Sequence, residues 1–255
     1  MRSSTLRQRL KAGDYLAGTF IKTPSHPVLE VLANSRLDFV VLDAEHSPFD
    51  RQALDACLAV ARLADLPTLV RVGDGSAKEI LWALDAGADG IVVPHVDSVA
   101  KAEAVAKAAR FGLGGRGFAG TTRWAGYGTR PMADILAETE NTVVVVQIEE
   151  PAGVDASAAI AGIDGIDALF LGPADISVSY GNQSVQNEDL PKALATVGDA
   201  VKAAGKGYMS FAIGQAQATE MAGHGVHAFC MASEHAWIRN GANADADIVH
   251  GLGGR

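Results

Sequence analysis

Apolar residues recur along the chain in short runs, separated by longer stretches in which they repeat at helical spacing. Eight runs stand out, at residues 16–20, 38–42, 68–72, 90–93, 143–148, 168–171, 207–211 and 228–231. Most are apolar at nearly every position, the pattern of strands covered on both faces, which favours a parallel sheet over alternating antiparallel strands. Between them, residues 51–63, 77–86, 99–109, 191–204 and 215–222 are rich in Ala, Leu and Glu with apolar residues at helical spacing. Gly87, Gly205 and Gly223 stand where a residue of positive φ closes a helix before the next strand. Strand–helix alternation repeated eight times predicts a closed (β/α)8 barrel, with an open doubly wound sheet as the competing architecture.

The polar residues decide between the two. In a barrel the site is built at the carboxyl ends of the strands. A polar residue follows nearly every run: Lys22, Asp43 with Glu45 and His46, Arg71, His95, Gln147 with Glu149, Asp175 and Glu234. One connection, 93–143, is unusually long and holds a helix and then a Gly- and Arg-rich loop at 111–130, read as a flexible lid. Residues 251–255 read as a flexible tail.

Composition narrows the class without changing this picture. A chain of 255 residues matches the usual length of one such barrel, so residues 1–255 are expected to form a single domain. Apolar residues at 48% suffice for a large core. The net charge of −9 argues against a nucleic-acid partner, which requires clustered Lys and Arg. Cys57 and Cys230 lie in apolar runs without CxxC spacing and read as buried thiols of a reducing compartment. The basic N-terminus is not followed by the apolar run of a signal peptide, and no window supplies the roughly 18 apolar residues of a membrane span. A cytoplasmic protein without membrane partners is expected.

Several residues could do chemistry. Glu149 and Asp175 follow adjacent strands, and two carboxylates with otherwise oxygen donors suit a hard divalent ion such as Mg2+ or Mn2+; equally, each could simply favour a helix N-terminus. Asp43 and His46 could form a carboxylate–imidazole base, or His46 could be a loop histidine bonded to backbone. Arg71 could clamp a carboxylate or enolate, or complete a structural ion pair. Lys22 could form a Schiff base with a ketone, or be solvated or paired. The glycines at 112–117 with Arg116 and Arg123 resemble an anion cradle only superficially, because the Lys-Ser/Thr of a P-loop is absent.

Taken together, Leu-Asp-Ala-Glu-His-Ser-Pro at 42–48, Val-Arg at 70–71, Gly-Ala-Asp-Gly-Ile-Val-Val-Pro at 87–94, Arg-Gly at 116–117, Gln-Ile-Glu at 147–149 and Leu-Gly-Pro-Ala-Asp at 171–175 resemble the HpcH/HpaI aldolase family. The resemblance runs from about Gly18 to Glu234. It implies a barrel of the phosphoenolpyruvate/pyruvate-binding type, typically hexameric. The implied reaction is class II, metal-dependent cleavage of 4-hydroxy-2-oxoacids to pyruvate and an aldehyde, and its reverse, with Mg2+, Mn2+ or Co2+. By that resemblance Glu149 and Asp175 are the metal ligands, Arg71 holds the keto oxygen, and Gln147, Gly172, Pro173 and Ala174 hold pyruvate. His46 backed by Asp43 is the base. Glu45 supports the metal's surroundings, and Arg116, Arg123 and Tyr127 shape the aldehyde side or a subunit contact. Phe20 stands where many relatives carry Trp, and Met-Ala-Ser-Glu at 231–234 replaces a more usual Gly-Ser/Asn-Asp ending. The aldehyde, supplied in aromatic or sugar-acid breakdown, is left open. A citrate-lyase-β-like acyl-CoA lyase and a non-catalytic oxoacid-binding barrel are the alternatives.

Overall fold

In the computed structural model, which describes residues 2–252, eight parallel strands close on themselves in sequential order, β1 through β8 with β8 returning to β1. They are β1 Leu16–Ile21, β2 Val40–Asp43, β3 Thr68–Arg71, β4 Gly90–Val93, β5 Val143–Ile148, β6 Ala168–Leu171, β7 Gly207–Ala212 and β8 Ala228–Ser233. The helices are α1 Arg2–Ala12, α2 His26–Ala33, α3 Arg51–Leu63, α4 Ala77–Asp85, α5 Val99–Ala108, α6 Met132–Glu138, α7 Pro151–Ala161, α8 Pro173–Ser179, α9 Asp189–Ala204, α10 Gly214–Gly223 and α11 Glu234–Leu252. The expected (β/α)8 barrel is therefore the fold. No helix among the described residues is long and apolar enough to cross a membrane.

The all-apolar runs follow from burial on both faces. Along β5, Val144, Val146 and Ile148 pack outward against the helices, while Val143 and Val145 belong to the inner core. The same alternation places Val40 and Leu42 of β2 outward and Val41 inward. Carried to the ends of the strands, it turns Asp43, Arg71 and Gln147 into the barrel mouth. Cys57 and Cys230 are both buried free thiols.

At the opposite end α1 closes the barrel: its Leu6 and Leu10 join Leu16, Phe39, Leu69, Val143 and Met209 in the inner core. Gly18 leaves room for the Phe39 ring there, since a Cβ on Gly18 would lie 2.4 Å from it. Gly18→Ala should destabilise the protein by about 1–3 kcal/mol in urea titration through overpacking.

Some boundaries move. β2 begins at Val40 because Asp38 turns its carboxylate to Arg9 and to the Ala17 amide. Gly87 and Gly205 have positive φ, but the residue that does this after α10 is Gly225, not Gly223, which is still helical. Gly251 and Leu252, expected in a tail, complete α11; the rest of that segment lies outside the described residues.

The loop at 111–130 does not cover the mouth of this chain's barrel. It leaves α5 at the amino end of the strands and packs there. Arg116 is ion-paired with Asp85 and lies 4.7 Å from the ring centres of both Phe111 and Trp124, which pack edge-on against each other. Arg123 reaches Asp55 and the Ala86 carbonyl, where α4 turns toward β4. The guanidinium of Arg116 is thus held by a carboxylate and two aromatic faces, not offered to an anion.

Candidate active site

The mouth is organised around Asp43, a fully buried carboxylate at the end of β2. Its Oδ1 accepts the amide N–H groups of Glu45 and His46 at 3.3 and 3.0 Å and the Nε–H of Arg71 at 2.9 Å. Its Oδ2 faces Arg71 at 2.8 Å and Lys22 Nζ at 2.8 Å. Burial alone would raise its pKa; Arg71 and Lys22 outweigh burial and bring it down to about 2. Burial pushes the Arg71 pKa down, but Asp43, together with Glu45 and Glu149, raises it on balance, and its guanidinium lies 4.5 Å over the Phe20 ring. Phe20 packs in turn on Phe170 and Phe211, giving the mouth an aromatic floor.

This arrangement corrects the expected dyad. Asp43 meets His46 only through the backbone, because the turn that brings the Glu45 and His46 amides onto Oδ1 aims the imidazole elsewhere. The carboxylate facing that ring is Glu45, 3.7 Å from His46 Nε2. Glu45 also lies 3.3 Å from Arg71 and 3.6 Å from His95 Nε2. It is therefore the hub between the guanidinium and two imidazoles.

His95 belongs to the site although its role was not read from sequence. It follows β4 with φ of 53°, rare for a residue with a side chain. In that conformation its N–H donates to Glu149 Oε2 at 3.0 Å, and its ring lies 3.6 Å from Glu149 and 3.4 Å from Glu150. Its position after a strand was the available signal; its backbone conformation was not visible, since no glycine marks it.

Across the mouth, Gln147 on β5 donates to Glu149 Oε1 at 2.6 Å. Gly172 begins the turn into α8, and a Cβ on it would lie 3.0 Å from Glu149 Oε1 and 3.4 Å from Asp175 Oδ2. Both carboxylates thus crowd the space that only a glycine leaves clear. Burial, with a further push from Asp175, raises the Glu149 pKa to about 7 against the lowering effect of the His95 amide. Two carboxylates crowded without a matching cation are the electrostatic condition that a divalent ion relieves. Among the described residues no three His, Cys, Asp or Glu groups are set to hold a metal ion. The amides of Ala174 and Asp175 precede the first intrahelical bond of α8, from the Ile176 N–H to the Gly172 carbonyl, and point out of the helix start.

Lys22, Arg71, Gln147, Gly172, Pro173, Ala174 and Asp175 line one cavity of about 1110 Å3. The HpcH/HpaI aldolase/citrate lyase family model matches residues 16–240. The chain belongs to this family.

The HpcH/HpaI relationship covers nearly the whole chain. A hydroxypyruvate/pyruvate aldolase of Paraburkholderia phytofirmans is 32% identical over 92% of this chain and 94% of its own. A 4-hydroxy-2-oxovalerate aldolase of Novosphingobium aromaticivorans is 32% identical over 70% of this chain and 68% of its own. The crystal structure of an HpcH/HpaI aldolase/citrate lyase family protein from Burkholderia cenocepacia J2315 superposes with a TM-score of 0.91 at 30% identity, covering 97% and 99% of the two chains. Within this HpcH/HpaI barrel the structure brings together Asp43, Glu45, Arg71, Gln147 and Glu149, with Gly172, Pro173, Ala174 and Asp175 on the same cavity. His46 is exposed beside Glu45 and is not among the residues that line the cavity. Arg116 and Arg123 are held at the other end of this chain's barrel, and Tyr127 is exposed on the same loop; the aldehyde-side role expected of them is not met within this chain.

Proposed function

We propose that the protein is a class II pyruvate aldolase, cleaving 4-hydroxy-2-oxoacids to pyruvate and an aldehyde and catalysing the reverse addition. The observation that carries this reading is that one cavity is lined by both the Arg71 guanidinium and Asp175, with Glu149 crowded beside Asp175 over Gly172. Relatives named as hydroxypyruvate/pyruvate and 4-hydroxy-2-oxovalerate aldolases support the oxoacid chemistry.

Glu149 and Asp175 would hold a divalent ion, Mg2+, Mn2+ or Co2+. Such an ion supplies Lewis-acid polarisation of the keto group. The protein's own groups do the rest. The Ala174 and Asp175 amides offer N–H donors to the substrate carboxylate. Gln147 fixes one oxygen of Glu149 by donating to it. Arg71, held on Asp43 by two nitrogens, presents positive charge where pyruvate becomes an enolate. His46, facing Glu45, takes the proton of the 4-hydroxyl group as the carbon–carbon bond breaks.

An amine that attacks a ketone needs a free lone pair, and Lys22 is ion-paired with Asp43. The Schiff-base route is therefore disfavoured. Copies of the chain associate, in the hexamer the family resemblance implies: α11 buries only Glu234 and leaves Trp237, Ile238, Ile248, Val249 and Leu252 exposed for a neighbour. The loop bearing Tyr127 at the far end is then free to serve as a subunit contact.

The test is pyruvate release from a 4-hydroxy-2-oxoacid by chelator-treated enzyme, followed by restoration of Mg2+, Mn2+ or Co2+. Activity should vanish and return with the ion, and borohydride with pyruvate should leave the chain mass unchanged. Activity indifferent to chelation, with a borohydride adduct on Lys22, would replace this mechanism.

A further inference from the structure

The proposed reaction leaves Lys22 without a task, yet the fold fixes it from three sides. Its amide and that of Thr23 donate to Oε1 of Glu234, at 2.8 and 2.6 Å, and Glu234 is buried. The Thr23 hydroxyl meets His235 Nε2 at 2.9 Å. The ammonium rests on Asp43 Oδ2, the oxygen that Arg71 also faces.

Oδ1 of Asp43 takes two backbone amides and the Arg71 Nε–H, and its buried Oδ2 is shared between two cations, a terminal nitrogen of Arg71 and the Lys22 ammonium, each at 2.8 Å. Of the charges gathered here, Arg71 and Lys22 are among the residues that line the cavity, and Asp43 and Glu45 are not. Glu45 faces Arg71 and the two imidazoles, and Glu188 and Glu220 line the outer cavity. An ammonium has three N–H donors, so two remain for a ligand.

Position decides which part of the substrate they meet. Glu149 and Asp175 follow β5 and β6, and Lys22 follows β1 on the facing wall. With the oxoacid end of pyruvate at Glu149 and Asp175, and its keto oxygen at Arg71, the incoming aldehyde lies toward Lys22.

We infer that Lys22 sets acceptor specificity by binding a carboxylate next to the aldehyde carbon, so that the favoured acceptor is a short oxoacid of the glyoxylate type. The inference rests on the aldolase reading. In the addition, C3 of the pyruvate enolate bonds to the aldehyde carbon and the aldehyde oxygen takes a proton, giving a 4-hydroxy-2-oxo diacid. Cleavage runs the same steps backwards.

The experiment compares glyoxylate with glycolaldehyde, similar in size and differing in charge, as acceptors for pyruvate. Wild type, Lys22→Met, Lys22→Gln and Lys22→Arg are assayed, and deuterium exchange into the pyruvate methyl group is followed without acceptor. Wild type should favour glyoxylate in kcat/KM. The glyoxylate-to-glycolaldehyde ratio should fall about 30-fold in the Met and Gln variants, as loss of a charge-assisted hydrogen bond implies, and recover substantially in the Arg variant. A wild-type preference for glycolaldehyde, or an unchanged ratio in the variants that lose the charge, overturns the inference. Failure of wild type to exchange deuterium at all would instead bring down the aldolase reading on which it rests.

Discussion

Arg71→Lys should lower kcat and kcat/KM together by about 10^2- to 10^3-fold in a pyruvate-release assay, although the charge is kept. Arg71 reaches both oxygens of Asp43 through Nε and a terminal nitrogen and lies over the Phe20 ring. A lysine ammonium is a point charge on a flexible stem and cannot reproduce the two-pronged, stacked geometry. The positive charge would remain in the mouth, but not fixed where the enolate oxygen forms. Catalysis by a preset charge depends on that position, so the loss falls on the chemical step. A loss under about fivefold would show that Arg71 is only the structural partner of Asp43.

Asp43→Asn should remove about 3–5 kcal/mol of stability at pH 7, read from urea titration, because it leaves buried Arg71 without its principal counterion. The pH dependence gives a second signature. The folded pKa of Asp43 is about 2, below the ordinary value of 3.8. A carboxyl whose pKa is lowered by folding contributes stability that is complete above its unfolded pKa and lost as pH falls through the folded one. That contribution is on the order of 2 kcal/mol. The gap between wild type and variant should therefore be constant above about pH 5 and narrow toward pH 2. A gap independent of pH would mean that Asp43 acts only through its shape and its backbone bonds.

Much of the barrel was legible because burial on both faces writes all-apolar runs, as in the four consecutive valines of β5. The site was legible in the same way, from polar residues at strand ends: Asp43, Arg71, Gln147 and Glu149 occupy the inward parity that their strands set. What sequence could not convey was direction. Asp43 and His46 are three residues apart, and that proximity suggests a dyad, but the turn between them spends the carboxylate on backbone amides and gives the imidazole to Glu45. Likewise, the arginines of 111–130 look available on paper; only the return of α5 to the amino end shows that the loop bearing them packs away from this chain's mouth. His95 combines both difficulties, since its part in the site depends on a left-handed backbone that histidine does not advertise.

The five contacts converging on Asp43 also bear on the entropy of binding. Free lysine and arginine side chains each carry about 2 kcal/mol of rotamer entropy, which a ligand must suppress if it is to be held by them. Here Arg71 and Lys22 are immobilised on a buried carboxylate before any substrate arrives. Their ordering is completed when the chain folds. What attraction they exert on an incoming oxoacid is then not offset by the cost of ordering them, and it goes into affinity and into orienting the reacting carbons.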